Sequence, residues 1–285
     1  GADTDTVELA NAAFAPVTAN VNLTNVTGVE NFKLTGSGDD GDALTNDVDA
    51  NTLTFSGGAA GTITNVNVNA SALTDAKDSF KVTLAAGTNA NYQFNITGSS
   101  TSDTFEKLNV GVNNNVSFNA GAGNDSVVIT GGDLGANITV LGGTGEDSLV
   151  QNGGVFIDDD MQNVFSVEVL TTVAGPGKAI NAVLGAQVDA NMGLQKIVGG
   201  ANNDRVILDA AFGAVTTALN VNLAAGGNDT INAGATNVAV TFVAGASNIT
   251  AGDALTGGMT ANDVFTLTAD NGTADLTTTT GVETF

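Results

Sequence analysis

Two short stretches of the chain read alike. Gly121-Ala122-Gly123-Asn124-Asp125-Ser126-Val127 is followed, 22 residues later, by Gly143-Thr144-Gly145-Glu146-Asp147-Ser148-Leu149. Counting 22 residues back from Asp125 reaches Asp103, inside Ser99-Ser100-Thr101-Ser102-Asp103-Thr104-Phe105. Further copies place Asp204 after Gly200-Ala201-Asn202-Asn203 and Asp229 after Ala225-Gly226-Gly227-Asn228. Asp40, Asp263 and Asp5 end looser ones. Each copy is a turn of small residues, then Asp, a small polar residue and an apolar strand start. Carboxylates and turn carbonyls are hard oxygen donors, so the chemistry open to them is coordination of a hard cation. A plainer reading stands beside it: Asp is a common turn residue because it hydrogen-bonds its own backbone.

Composition narrows the remaining possibilities. The chain has 285 residues, 30 acidic against 7 basic, a formal net charge of −23, and neither His nor Cys. Without Cys there is no disulfide and no thiolate chemistry. Without His the usual general base and the usual transition-metal ligand are missing. An enzyme on a β scaffold needs bases and cationic groups that neutralise charge, and the single Arg and scattered Lys do not supply them, so no catalysis is expected. The same scarcity makes nucleic acid a poor partner. There is no apolar run long enough to span a membrane as a helix. The opening residues have neither the basic nor the apolar segment of a signal peptide.

The segments between the Asp turns alternate with a period of two. Ser79-Phe80-Lys81-Val82-Thr83-Leu84 puts Phe80, Val82 and Leu84 on one side and Lys81 and Thr83 on the other. The same period runs through Tyr92–Ile96, Leu219–Leu223, Val238–Phe242 and Phe265–Leu267, which predicts half-buried strands. Tyr92 falls within this pattern as a core or rim residue. Gly pairs at 57–58, 131–132, 142–143, 153–154, 199–200, 226–227 and 257–258 separate the strands, the punctuation of an all-β chain. Asn is unusual in strands, and Asn65, Asn67 and Asn69 predict amide ladders between equivalent positions of stacked coils. Short helices are expected at Val7–Phe14 and Asp209–Leu219, and at Asp158-Asp159-Asp160, an acidic N-cap region or solvated loop that also offers oxygens to a metal. Lys33 and Arg205 sit beside acidic turns and are expected to neutralise them.

A second pattern interleaves with the first. Thr27-Gly28-Val29-Glu30-Asn31-Phe32-Lys33-Leu34-Thr35-Gly36 is echoed by Phe165–Leu170 and by Met192–Gly200, and its first half returns as Thr280-Gly281-Val282-Glu283-Thr284-Phe285. Gly1–Val7 is like its second half. The expectation is an all-β, β-solenoid or β-roll-like module over residues 1–285. An alternative expectation is two sub-units, 1–155 and 156–285; either way the chain is expected to be cut in register from a larger array or poised to continue into a neighbouring copy.

Gly142-Gly143-Thr144-Gly145-Glu146-Asp147-Ser148-Leu149-Val150 resembles the nonapeptide G-G-x-G-x-D-x-U-x of the RTX, or haemolysin-type, repeats, and residues 120–129 are a near fit. The chain departs from that family in having no tandem repeat every nine residues. With its acidic charge, its Thr, Asn and Gly content and its "GVENFKLTG" segment, it is similar to bacterial S-layer proteins and RTX adhesins exported by type I secretion. The resemblance implies an extracellular structural protein of the bacterial cell surface that self-assembles with copies of itself. It implies Ca²⁺ at Asp125, Asp147, Asp103, Asp204, Asp229, Asp40 and Asp263, with cell-surface polysaccharide as a further partner. The alternative it implies is an RTX-type adhesin module that binds a surface glycan.

Overall fold

The structure, a computed structural model, describes residues 6–10, 18–22, 31–35, 50–58, 64–73, 79–108, 115–216, 218–223, 225–259, 262–268 and 272–285. The chain divides into two compact units. One comprises Gly1–Ile129 with Ala136–Asp147, the other Thr130–Gly135 with Ser148–Phe285.

The first unit contains β1 (Thr6–Ala10), β2 (Thr18–Asn22), β3 (Asn31–Thr35), β4 (Ala50–Ser56), β5 (Thr64–Asn69), β6 (Ser79–Leu84), β7 (Tyr92–Thr97), β8 (Asp103–Lys107), β9 (Asn115–Ala122), β10 (Ser126–Ile129) and β11 (Ile138–Thr144). Odd-numbered strands pair in chain order into one sheet and even-numbered strands into another, every pair parallel. This is a β-solenoid, in which each coil lays one strand on each sheet. The alternation seen in the sequence decides which side chains enter the core. Phe80, Val82 and Leu84 are buried, and so are Tyr92, Phe94 and Ile96. Aromatic rings of the two sheets meet across the core: Phe55 of β4 lies 5.3 Å from Phe32 of β3 and 5.5 Å from Phe94 of β7, and Phe105 of β8 lies 5.5 Å from Phe118 of β9. Each such buried ring contributes roughly 1.5–3 kcal/mol by leaving water.

The second unit contains β12 (Ser148–Gln151), β13 (Phe156–Ile157), β14 (Val164–Phe165), β15 (Val169–Thr172), β16 (Asn181–Leu184), β17 (Lys196–Val198), β18 (Arg205–Leu208), β19 (Ala218–Asn222), β20 (Thr230–Asn232), β21 (Ala239–Gly245), β22 (Ala254–Thr256), β23 (Val264–Thr268) and β24 (Thr279–Thr280). Here β12-β15-β17-β19-β21-β23 form one parallel sheet. β13-β16-β18-β20-β22-β24 form a second.

The expected helices largely give way to turns and strands. Val7–Ala10 is strand, and the rest of the Val7–Phe14 segment lies outside the described residues. From Asp209 the chain makes a turn rather than a helix. The Asp209 carboxylate accepts the Ala211 N–H at 2.8 Å, Gly213 takes φ +105°, and strand resumes at Ala218. An Asp that bonds a nearby N–H competes with helix, and a left-handed Gly ends it. Asp158–Met161 is a single 3₁₀ turn. The Asp158 side chain does not cap that turn; it accepts the N–H groups of Gly185, Gln187 and Val188.

Candidate functional site

The aspartates singled out by their spacing stack into ladders. In the first unit the Asp103 N–H donates to Asp125 Oδ1 at 2.7 Å, and the Asp125 N–H donates to Asp147 Oδ1 at 2.8 Å. In the second unit Ile180, Asp204 and Asp229 donate in the same way to Asp204, Asp229 and Asp253, at 2.6, 2.9 and 2.6 Å. Each carboxylate thus satisfies the backbone donor that opens a strand one coil earlier. Asp263 stands apart from these three: its Oδ1 accepts the Val240 N–H at 2.5 Å, and its own N–H donates to Glu283. Asp40 and Asp5 lie outside the described residues. Asp253 and Glu283 were missed by the motif. Thr250-Ala251-Gly252-Asp253-Ala254-Leu255 carries the turn–Asp–strand order, 24 residues after Asp229, and that spacing could have found it.

The second carboxylate oxygen sorts the rungs into two kinds. Asp103 Oδ2 accepts the Ser99 N–H at 2.6 Å, Asp204 Oδ2 the Gly200 N–H at 2.8 Å, and Asp253 Oδ2 the Thr250 N–H at 2.7 Å. These rungs are closed: both oxygens are used by backbone. Asp125 Oδ2, Asp229 Oδ2 and Asp263 Oδ2 are buried and meet no hydrogen-bond donor. Asp263 stands outside the two ladders; Asp125 and Asp229 are open rungs, and each is the middle rung of its three.

Turn conformation separates the kinds. The turn before Asp125 carries Gly121 at φ +106° and Gly123 at φ +122°, and that before Asp229 carries Gly226 and Gly227 at +84° and +125°. Residues 99–102, 200–203 and 250–252, before the closed rungs, include no positive φ. The left-handed glycines reorient the peptide planes, so no turn N–H reaches the carboxylate. Turns of this kind also stack flush. A Cβ on Gly143 would overlap the Gly121 carbonyl oxygen directly beneath it.

Burial disfavours charge on these groups. It pushes Asp103 up to about 6 despite hydrogen bonds from Ser99 and Phe80. It pushes Asp125 up to about 7, with the neighbouring charges of Asp103 and Asp147 adding to the rise. Asp229 likewise rises to about 7, through burial and then Asp204 and Asp253. Burial raises Asp204 and Asp263 as well. Asp189 goes the other way. Burial opposes its charge, but the N–H groups of Thr216 and Val215, at 2.7 and 2.8 Å, hold its carboxyl below the usual range.

Among the described residues no three acidic side chains converge on one point. A hard cation at an open rung would therefore take its remaining oxygens from turn carbonyls and water, which Ca²⁺ accepts readily. The buried, unpartnered oxygens of Asp125 and Asp229 fit such an ion; the closed rungs have no oxygen to spare. Comparison with protein-family models, curated proteins and solved structures finds no match to this chain.

Proposed function

We propose that the chain is an extracellular structural module of a bacterial surface layer or matrix, self-assembling with copies of itself and holding Ca²⁺ at the open aspartate turns. One observation carries the calcium reading: in each unit a buried carboxylate oxygen sits mid-ladder with no donor. An ion there supplies positive charge to a stack of carboxylates in a chain of net charge −23. Asp125 and Asp229 would hold it, while Asp103, Asp147, Asp204 and Asp253 keep the coils in register. The like-rung construction, the acidic composition and the RTX-like turn support the structural reading. The rows of Asn and Thr along the strands offer no catalytic constellation.

Thermal melts and sedimentation of the full chain, with Ca²⁺ and with EDTA, test both parts. Calcium should raise the melting midpoint and promote association, because an ion that binds only the folded state stabilises it. An unchanged midpoint removes the calcium role. A raised midpoint without association removes the assembly role.

A further inference from the structure

Arg205, the single arginine of the chain, does not neutralise an acidic turn. Among the described residues the ion pairs are Lys33–Glu8 at 3.8 Å and Lys81–Glu106 at 2.8 Å, and Arg205 is in neither. Its side chain is exposed, and its Nη1 makes only a long 3.5 Å contact with Asn181 Oδ1. In a chain with 30 acidic residues, a guanidinium left without a carboxylate is an anomaly that asks for a partner.

The surroundings of Arg205 narrow what that partner is. Parallel pairing aligns Asn181, Arg205 and Thr230 on the adjacent strands β16, β18 and β20. Successive rungs are about 4.8 Å apart, a distance one pyranose ring spans. Beside this row is a groove of about 490 Å³, within the ordinary range for a small-molecule site. The side chains of Asn203 and Asn228 add amides to its wall. Gly153, Gly154 and Gly177, all at positive φ, contribute backbone without side chains to the lining. The lining includes no aromatic ring and no Lys. One planar cation suits one carboxylate, which it can hold through two parallel hydrogen bonds. The neutral amides and the Thr230 hydroxyl suit hydroxyl groups around it. The acid in the lining, Asp204, has both oxygens taken by backbone N–H groups, so it does not compete for Arg205. The chain's overall negative charge opposes an anion, but beyond about 8 Å physiological salt screens it.

We propose that this groove binds a hydroxylated carboxylate, presented as a uronate residue of an acidic glycan. Arg205 holds the carboxylate, and Asn181, Asn203, Asn228 and Thr230 hydrogen-bond the ring hydroxyls. The proposal is independent of calcium at the aspartate ladders.

Saturation-transfer NMR and calorimetry on the full chain, with digalacturonate, its methyl ester and a neutral digalactoside as probes, test it. Digalacturonate should bind, and the ester and the neutral sugar should bind at least about tenfold more weakly, since each lacks the charge for the bidentate pair. Arg205→Gln should abolish binding while leaving the melting midpoint in place, because Arg205 is exposed. Arg205→Lys should weaken it several-fold. Equal binding of ester and acid, binding unaffected by Arg205→Gln, or no binding of digalacturonate would each overturn the proposal. So would loss of self-association in Arg205→Gln with no saccharide bound by the parent, because the carboxylate would then belong to a second copy of the chain.

Discussion

In the first unit the rungs Asp103, Asp125 and Asp147 are 22 residues apart, whereas in the second Asp204, Asp229 and Asp253 are separated by 25 and 24. The coils differ in length, yet in both units the middle carboxylate is open and the first is closed. Coil length therefore does not set the state of a rung. The turn before it does. A turn without positive φ brings an N–H back to its own Asp, and a turn with left-handed glycines does not. The longer coils of the second unit include the turn at 210–215, between Asp204 and Asp229, and the 3₁₀ turn at Ala246–Asn248, between Asp229 and Asp253.

Substitution of Asp by Asn breaks or confirms this distinction most forcefully. At closed Asp204, Asn can accept the Ile180 N–H but must turn its amide NH₂ toward the Gly200 N–H, setting donor against donor. The loss should be about 2–3 kcal/mol, the cost of a buried unsatisfied group. At open Asp229, Asn still accepts the Asp204 N–H and removes a charge from between two other carboxylates. Without calcium at pH 8, Asp229→Asn should be neutral or stabilising by on the order of 1 kcal/mol. Denaturant melts of both variants decide it, and equal losses at the two positions would erase the distinction between rungs. The same Asp229→Asn change, combined with Asp125→Asn, should abolish any calcium-induced rise in midpoint.

The stacked glycines give the next largest effect. Gly143 and Gly87 both have positive φ, but a Cβ on Gly143 would meet the Gly121 carbonyl, while at Gly87 nothing lies within 4 Å. Gly87→Ala pays backbone strain alone, about 1 kcal/mol, whereas Gly143→Ala adds a backbone clash and should cost about twice that or more. Similar losses for the two would mean that the turns around Asp125 and Asp147 are not in flush contact.

The raised carboxyls predict a stability profile that falls with pH. Asp125 and Asp229 near 7 and Asp103 near 6 all lie above the ordinary value of 3.8. Between about pH 4 and pH 7 the folded chain thus holds more protons than the unfolded one, so stability declines as pH rises through that window. In EDTA the melting midpoint should climb as pH is lowered from 8 to 5. Calcium, by supplying positive charge where a proton otherwise sits, should flatten the slope. A midpoint that falls steadily on acidification over this range would show that these carboxyls are charged throughout.

Much of this architecture could be read from the residues themselves. Period-two segments such as Ser79–Leu84 carry their own burial pattern, and the 22-residue offset between Asp125 and Asp147 is the length of one coil. What the residues did not disclose was direction. An Asp after a glycine turn reads the same whether its carboxylate faces solvent, a cation or the backbone of the coil below. Only three-dimensional stacking shows that Asp103 and Asp204 are consumed by N–H groups. Asp209–Leu219 misled because Ala-rich spacing favours helix locally, while the Asp209 side chain and Gly213 stop it. Arg205 is expected from the sequence to neutralise an acidic turn, but the adjoining Asp204 turns inward to the Ile180 and Gly200 N–H groups, and Arg205 stays exposed.

A contrast with the aspartates lies on the outer face of the first unit. Asn67 Nδ2 donates to Asn31 Oδ1 at 2.9 Å, and Asn95 Nδ2 donates to Asn67 Oδ1 at 2.9 Å. This ladder has the same coil-to-coil geometry, but its side chains bond one another rather than the backbone, and Asn95 is exposed. Water can replace each bond when it breaks, so Asn67→Ala should cost only about 0.5–1 kcal/mol, with no dependence on pH or calcium. Asn67→Asp puts a carboxylate between two amides. Its Oδ1 can still accept from Asn95, but nothing then donates to Asn31, so the loss should be similar in size and should respond to acid. If Asn67→Ala instead destabilised the fold as much as Asp204→Asn, outward rungs would be holding the coils in register as firmly as buried ones. The assignment of that role to the aspartates would then fail.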